Sequence, residues 1–183
     1  MRIPGSMLHA WTTDQSSQIS DFTVYEDTSF NGIMKMGAVP TRTCMNYIDG
    51  KYRECLLAYF DGNKKIVYVK KNGSIVGRAV IRLTKTVNRV VDQDSVLKFT
   101  DVTEEHEKQE ITEEPVIETP VLFLERCYSG VQGNGRVELE AALIRFVSEK
   151  AKEMGCELII ASDYIKGSLS EAGASDFEPD RRF

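Results

Sequence analysis

One short stretch carries the clearest chemical signal in the chain: Gln132-Gly133-Asn134-Gly135-Arg136. It sits between an apolar run and an amphipathic run. A glycine-bearing turn from a strand into a helix leaves several backbone N–H groups without partners at the helix start. The helix dipole adds partial positive charge there, so the turn can hold a phosphate. A plain tight turn is the other reading of the same residues.

The elements that must position this turn are legible on either side. Upstream, Pro120-Val121-Leu122-Phe123-Leu124 reads as a strand. Downstream, Val137 to Met154 reads as a helix, with Leu139, Leu143, Phe146, Val147, Ala151 and Met154 forming one apolar stripe. Glu138 and Glu140 fall in its first turns and Lys150 and Lys152 near its end, as the dipole favours. Gly155 reads as a left-handed C-cap. Cys156 to Ser162 reads as a second strand. A strand, a helix of this length and a second strand predict a right-handed parallel β-α-β crossover over Pro120–Ser162.

Elsewhere the clearest unit is a hairpin from Lys64 to Leu83. Its β-branched runs meet through Lys71-Asn72-Gly73-Ser74, and Asn-Gly is a strong turn signal. Gly77 inside the second strand marks a bulge or a close backbone approach. Lys51 to Phe60 has helical spacing at Tyr52, Cys55, Leu56, Tyr59 and Phe60, with a strand over Glu54–Phe60 as the alternative. Met7 to Arg42 predicts a loop-rich entry with one short strand or helix. Ser95 to Val102 predicts another strand. The Glu-rich run that follows predicts a solvated loop over about 101–119. After Asp163 a short helix through Ser168–Ala172 leads into an irregular end.

The 183 residues and 42% apolar content suit one ordinary soluble domain. Met1 to Ser6 resembles a vector-derived leader, which leaves residues 7–183 as a single domain. No apolar run reaches the roughly 20 residues of a membrane span, so no membrane association is expected. A net charge of −5 argues against general nucleic-acid binding. Lys64, Lys65, Lys70 and Lys71 read as a solvated strand rim. The four cysteines, Cys44, Cys55, Cys127 and Cys156, match no zinc spacing and read as reduced thiols in a cytoplasmic protein. A bound Cys44–Cys55 pair is the alternative. With only His9 and His106 present, neither a histidine metal site nor a Ser-His-Asp triad is expected.

The order of elements resembles the GNAT superfamily of acyl-CoA-dependent N-acyltransferases over about Lys51 to Ser162. Gln132, Gly133, Asn134 and Gly135 match the first four positions of that family's Arg-Gly-x-Gly-x-Gly phosphate turn, with Gln in place of Arg. Val137 stands where the last glycine would be. The resemblance implies an α+β fold: a GNAT-like, mixed and mostly antiparallel sheet with the crossover above. It implies acetyl-CoA or another acyl-CoA as cofactor, held by Gln132, Gly133, Asn134, Gly135 and Arg136, with backbone groups near Cys127 and Tyr128 along the pantetheine arm.

For the reaction, the resemblance implies attack of an amine on a thioester, with Glu125 as the base. A tyrosine protonating the departing thiolate would be expected near Phe177; Tyr164 is the nearest candidate. The short C-terminal part and Val137 favour a non-catalytic interaction or accessory domain of a larger protein, with an acetyl-CoA-dependent N-acyltransferase acting on an amine as the alternative. A protein partner or a homodimer is the expected partner, through an exposed last strand.

Overall fold

The computed structural model describes residues 3–89, 116–161, 163–164, 167–168 and 172. Its centre is a seven-stranded sheet: β1 (Ser16–Ile19), β2 (Phe22–Glu26), β3 (Lys64–Lys71), β4 (Ser74–Arg89), β5 (Val116–Leu124), β6 (Tyr128–Ser129) and β7 (Glu157–Ile160). The strands run in the order β1-β2-β3-β4-β5-β7, and β6 pairs with β4. Every pairing is antiparallel except β5 with β7, which are parallel. The helix joining those two, α3 (Asn134–Met154), is the crossover. The fold is therefore the mixed, mostly antiparallel α+β sheet with a β-α-β unit that the GNAT resemblance implies.

Local chemistry explains the best-defined elements. Asn72 and Gly73 both take positive φ, 51° and 79°, so the β3–β4 turn has the backbone twist that matches paired strands. Gly77 is a close approach: a Cβ there would meet Leu139 of α3 at 2.7 Å. A register shift between Val69 and Lys70 lies opposite, so both features expected of Gly77 occur together. The apolar stripe of α3 is buried throughout and packs on Val24, Val67, Val69, Ala79, Ile81, Leu122 and Leu124. α3 ends at Gly155, with φ of 65°.

The other face of the sheet carries a smaller core of Ile33, Met36, Leu56, Ile66, Tyr68 and Val80. It is covered by α2 (Phe30–Lys35) and by a 3-10 helix, Arg53–Phe60. The Ser29 side chain caps α2 by accepting from the Gly32 amide at 3.0 Å. Residues 53–60 are thus helical, in the tighter 3-10 form.

Several expectations are corrected. The entry segment is not loop-rich: it contains α1 (Gly5–Thr12), the β1–β2 hairpin and α2. Met7, Ala10 and Trp11 of α1 are buried, and Ile3 packs against the core, so residues 3–6 belong to the folded structure. Residues 116–119 lie in β5, so the loop expected over about 101–119 stops short of them. Cys127 falls between β5 and β6, and Cys156 just before β7, rather than within strands. The strand expected at Ser95–Val102, His106, most of the Glu-rich run, Ser162 and Phe177 lie outside the described residues. Of the short helix expected at Ser168–Ala172, Gly167 and Ser168 are helical, and Ala172 donates to the Ser168 carbonyl at 2.9 Å.

Lys65, read as part of a solvated rim, is buried, and so are Glu140 and Lys150 of α3. Lys65, Glu140 and Lys150 are 5%, 0% and 0% exposed. Lys150 bonds Glu26 at 2.7 and 3.0 Å and the carbonyls of Ala10 and Thr13, both at 3.2 Å. Lys65 reaches Glu26 at 3.0 Å and Asp14 at 2.6 Å. This network ties α1, α3 and the sheet together. Ion pairing of each lysine with a carboxylate is what makes such burial tolerable.

Candidate functional site

Beyond Leu124 the fifth strand breaks. The Glu125 amide donates to the Val80 carbonyl at 2.9 Å, Arg126 and Cys127 interrupt the ladder, and β6 resumes beside β4 with Tyr128 opposite Arg78 and Ser129 opposite Gly77. Meanwhile β7 follows β5 only as far as Ile160, opposite Leu124. Among the described residues the parallel pairing ends there, and β6 pairs with β4 alone, leaving a gap on its other side. The Gly130 amide donates to Val76 at 2.8 Å. Strand alternation then turns the Ser129 N–H and C=O away from β4, into the gap.

Gln132 to Arg136 come together at the α3 start. Gly133 occupies the N-cap with φ of 57° and ψ of −138°, and no side chain caps the helix. A side chain is strained at this φ, which explains the glycine. Arg136 and Val137 return their amides to the Gly133 carbonyl at 3.1 and 3.4 Å. The amides of Gly133, Asn134 and Gly135 donate to no carbonyl among the described residues. Gln132, Gly133 and Asn134 are exposed. Val137 sits beside the 167–168 turn, where a Cβ at Gly167 would lie 3.7 Å from its methyl group.

Arg136 does not face the turn. Its Nε donates to Glu140 at 2.7 Å, and the Ser168 hydroxyl donates to the other Glu140 oxygen at 3.0 Å. Glu140 is thus a buried anchor joining the first turns of α3 to the following segment. Cys127, 7% exposed, lies near this carboxylate. Burial, with Glu140 adding to it, pushes its thiol up to about 12. Cys127 is accordingly a neutral packing residue whose neighbouring main chain, rather than its sulfur, borders the gap.

Glu125 and Tyr164 are linked, though not as a base and an acid over a common substrate. The Tyr164 hydroxyl donates to the Glu125 main-chain carbonyl at 2.9 Å. Tyr164 is buried, and burial holds its phenol well above its usual range. The Glu125 carboxylate is instead ion-paired with Arg82. Arg82 lies on the face of β4 shared with Arg78 and Val80, opposite α3. Tyr128 lies on that face too, its ring 4.1 Å from the Arg78 guanidinium. The residues expected to form one site are therefore divided between the α3 gap and the opposite face.

Sequence reasoning did not single out Arg78, Arg82, Glu140 or Ser168. Glu140 carried a readable signal, since it lies three residues before Leu143 and seven before Val147, on the buried row of α3. The arginines carried none, because their partners are cross-strand. Among the described residues no group of three or more His, Cys, Asp or Glu is placed to hold a metal ion. No helix among them is long and apolar enough to cross a membrane. All four cysteines are free thiols.

No protein-family model and no curated protein matches the chain. Among solved structures, the crystal structure of a transcriptional regulator from Bacillus halodurans C-125 is similar, with a TM-score of 0.50 at 14% identity, covering 88% of this chain and 96% of that one. Likeness at that identity concerns the fold alone.

Proposed function

We propose that this chain is a divergent GNAT-like domain that binds an acyl-CoA and acts as an accessory or interaction domain rather than as a transferase. The carrying observation is the uncapped α3 start after Gly133, continuous with the outward-facing main chain of Ser129. Free amides and the dipole at the turn favour a pyrophosphate. The exposed strand edge beside it offers hydrogen bonds to an extended amide arm. Against transfer chemistry stand the ion pair that occupies Glu125 and the burial of the Tyr164 hydroxyl. A base must be free to accept the amine proton. The alternative, an acetyl-CoA-dependent N-acyltransferase, requires Glu125 to leave Arg82 when substrate binds.

Calorimetric titration of acetyl-CoA tests the binding. Gly135→Asp is the control, because a Cβ there meets only Val131 atoms at 3.7 and 3.8 Å and fits without collision. Micromolar binding in the parent chain, lost in Gly135→Asp with an unchanged melting temperature, is the expected result. No heat in the parent chain would remove the acyl-CoA reading. Steady release of free CoA thiol with an amine acceptor would replace the accessory role with the transferase.

A further inference from the structure

The face of the sheet opposite α3 carries a row of aromatic and cationic side chains that the acyl-CoA reading does not use. Tyr25, Tyr68, Arg78 and Tyr128 are successive cross-strand neighbours along β2, β3, β4 and β6. Arg78 is 2% exposed. Its Nε donates to the Val39 carbonyl at 2.9 Å and its guanidinium lies against the Tyr128 ring. Its terminal Nη groups have no acceptor, and no carboxylate lies within ion-pair distance, among the described residues. A buried cation without a counter-charge is costly, by several kcal/mol on the order of typical ion desolvation.

A second observation points to the same place. Four residues along β4, Arg82 holds Glu125 through one Nη, yet its Nε is buried with no hydrogen-bond partner. Tyr59 of the 3-10 helix lies within electrostatic reach of both arginines: burial raises its phenol, and Glu125, Arg78, Tyr128 and Arg82 all act on it. Among the described residues Glu125 pairs with Arg82 alone and Arg78 has no carboxylate partner, so the two guanidiniums of the cluster are matched by one negative charge. The Arg82 side chain is 41% exposed, and Tyr59 and Tyr128 are half-buried, so the rim meets solvent.

We propose that Arg78, Arg82, Tyr59 and Tyr128 form a binding site for a small monocarboxylate ligand, whose oxygens would take the free donors of both arginines. A planar guanidinium fork matches a carboxylate in geometry and charge. A single negative charge completes the balance, whereas a doubly charged phosphate would leave an excess in a largely buried site.

The test follows the Arg Nε–Hε resonances of the full chain by NMR while sodium acetate, then sodium benzoate, replaces sodium chloride at constant ionic strength. Arg78→Lys and Arg82→Lys assign the two signals. Saturable shifts of both, with about tenfold weaker binding in Arg82→Lys, are expected, since one charge-assisted bond is worth about 1.5–3 kcal/mol. Glu125→Gln should tighten binding, because it removes the competing carboxylate. A linear response, a response equal to that of chloride, or saturation by inorganic phosphate alone would overturn the proposal. Gly135→Asp should leave the acetate response intact, so this site and the acyl-CoA site fail or stand separately.

Discussion

The two faces of the sheet bury charge in opposite ways. On the α3 face, Lys65 and Lys150 meet Glu26 and Asp14, so two cations face two carboxylates, and Lys150 spends its remaining donors on main-chain carbonyls. On the other face, Arg82 alone meets Glu125 and leaves its Nε without a partner, while Arg78 has no carboxylate partner among the described residues. A closed network of the first kind serves architecture. An incomplete one of the second kind is poised for something that arrives from outside.

The largest effect should come from opening the closed network. Lys150→Met leaves Glu26 with one lysine fewer in a fully buried position and is expected to cost about 3–5 kcal/mol in urea denaturation. Next is Gly77→Ala, which forces Leu139 off β4; overpacking of this kind costs about 1–3 kcal/mol and should lower the thermal midpoint. Arg78→Met makes the contrast with Lys150→Met. It removes an uncompensated charge while losing one bond to Val39 and the Tyr128 ring contact, so stability should hold or rise rather than fall. A loss as large as that of Lys150→Met would place Arg78 among the architectural residues.

A further effect shows only at alkaline pH. The Cys127 thiol is raised to about 12 from an ordinary value of 9.0. Above pH 9 the unfolded chain releases this proton while the folded chain retains it, so stability should fall as pH rises from about 9 toward 12. In Cys127→Ala the decline over that window should be shallower in chemical denaturation. A thiol reagent at neutral pH should modify exposed Cys44 and Cys55 quickly and Cys127 only on unfolding.

How much was readable from the residues follows from how local the cause was. The β3–β4 hairpin and α3 declare themselves through Asn72-Gly73 and through spacing alone. The β1–β2 hairpin does not, because Ser16, Ser17 and Gln18 form an exposed edge strand with no apolar alternation. The turn into α3 was legible at Gly133, where a positive φ favours glycine. The fate of Glu125 was not, because it depends on Arg82, 43 positions away. The burial of Lys65 and Lys150 was hidden for the same reason: the carboxylate that pairs with them, Glu26, is 39 and 124 positions distant.

The bonds from Lys150 to Ala10 and Thr13 also bear on the order of folding. They join positions 140 and 137 apart, after the β3–β4 hairpin and the crossover have their own nearer contacts. Closing so long a loop is entropically expensive until those intervening elements have shortened it. α1 is therefore the piece that waits for almost the whole of the other described elements before it can lock.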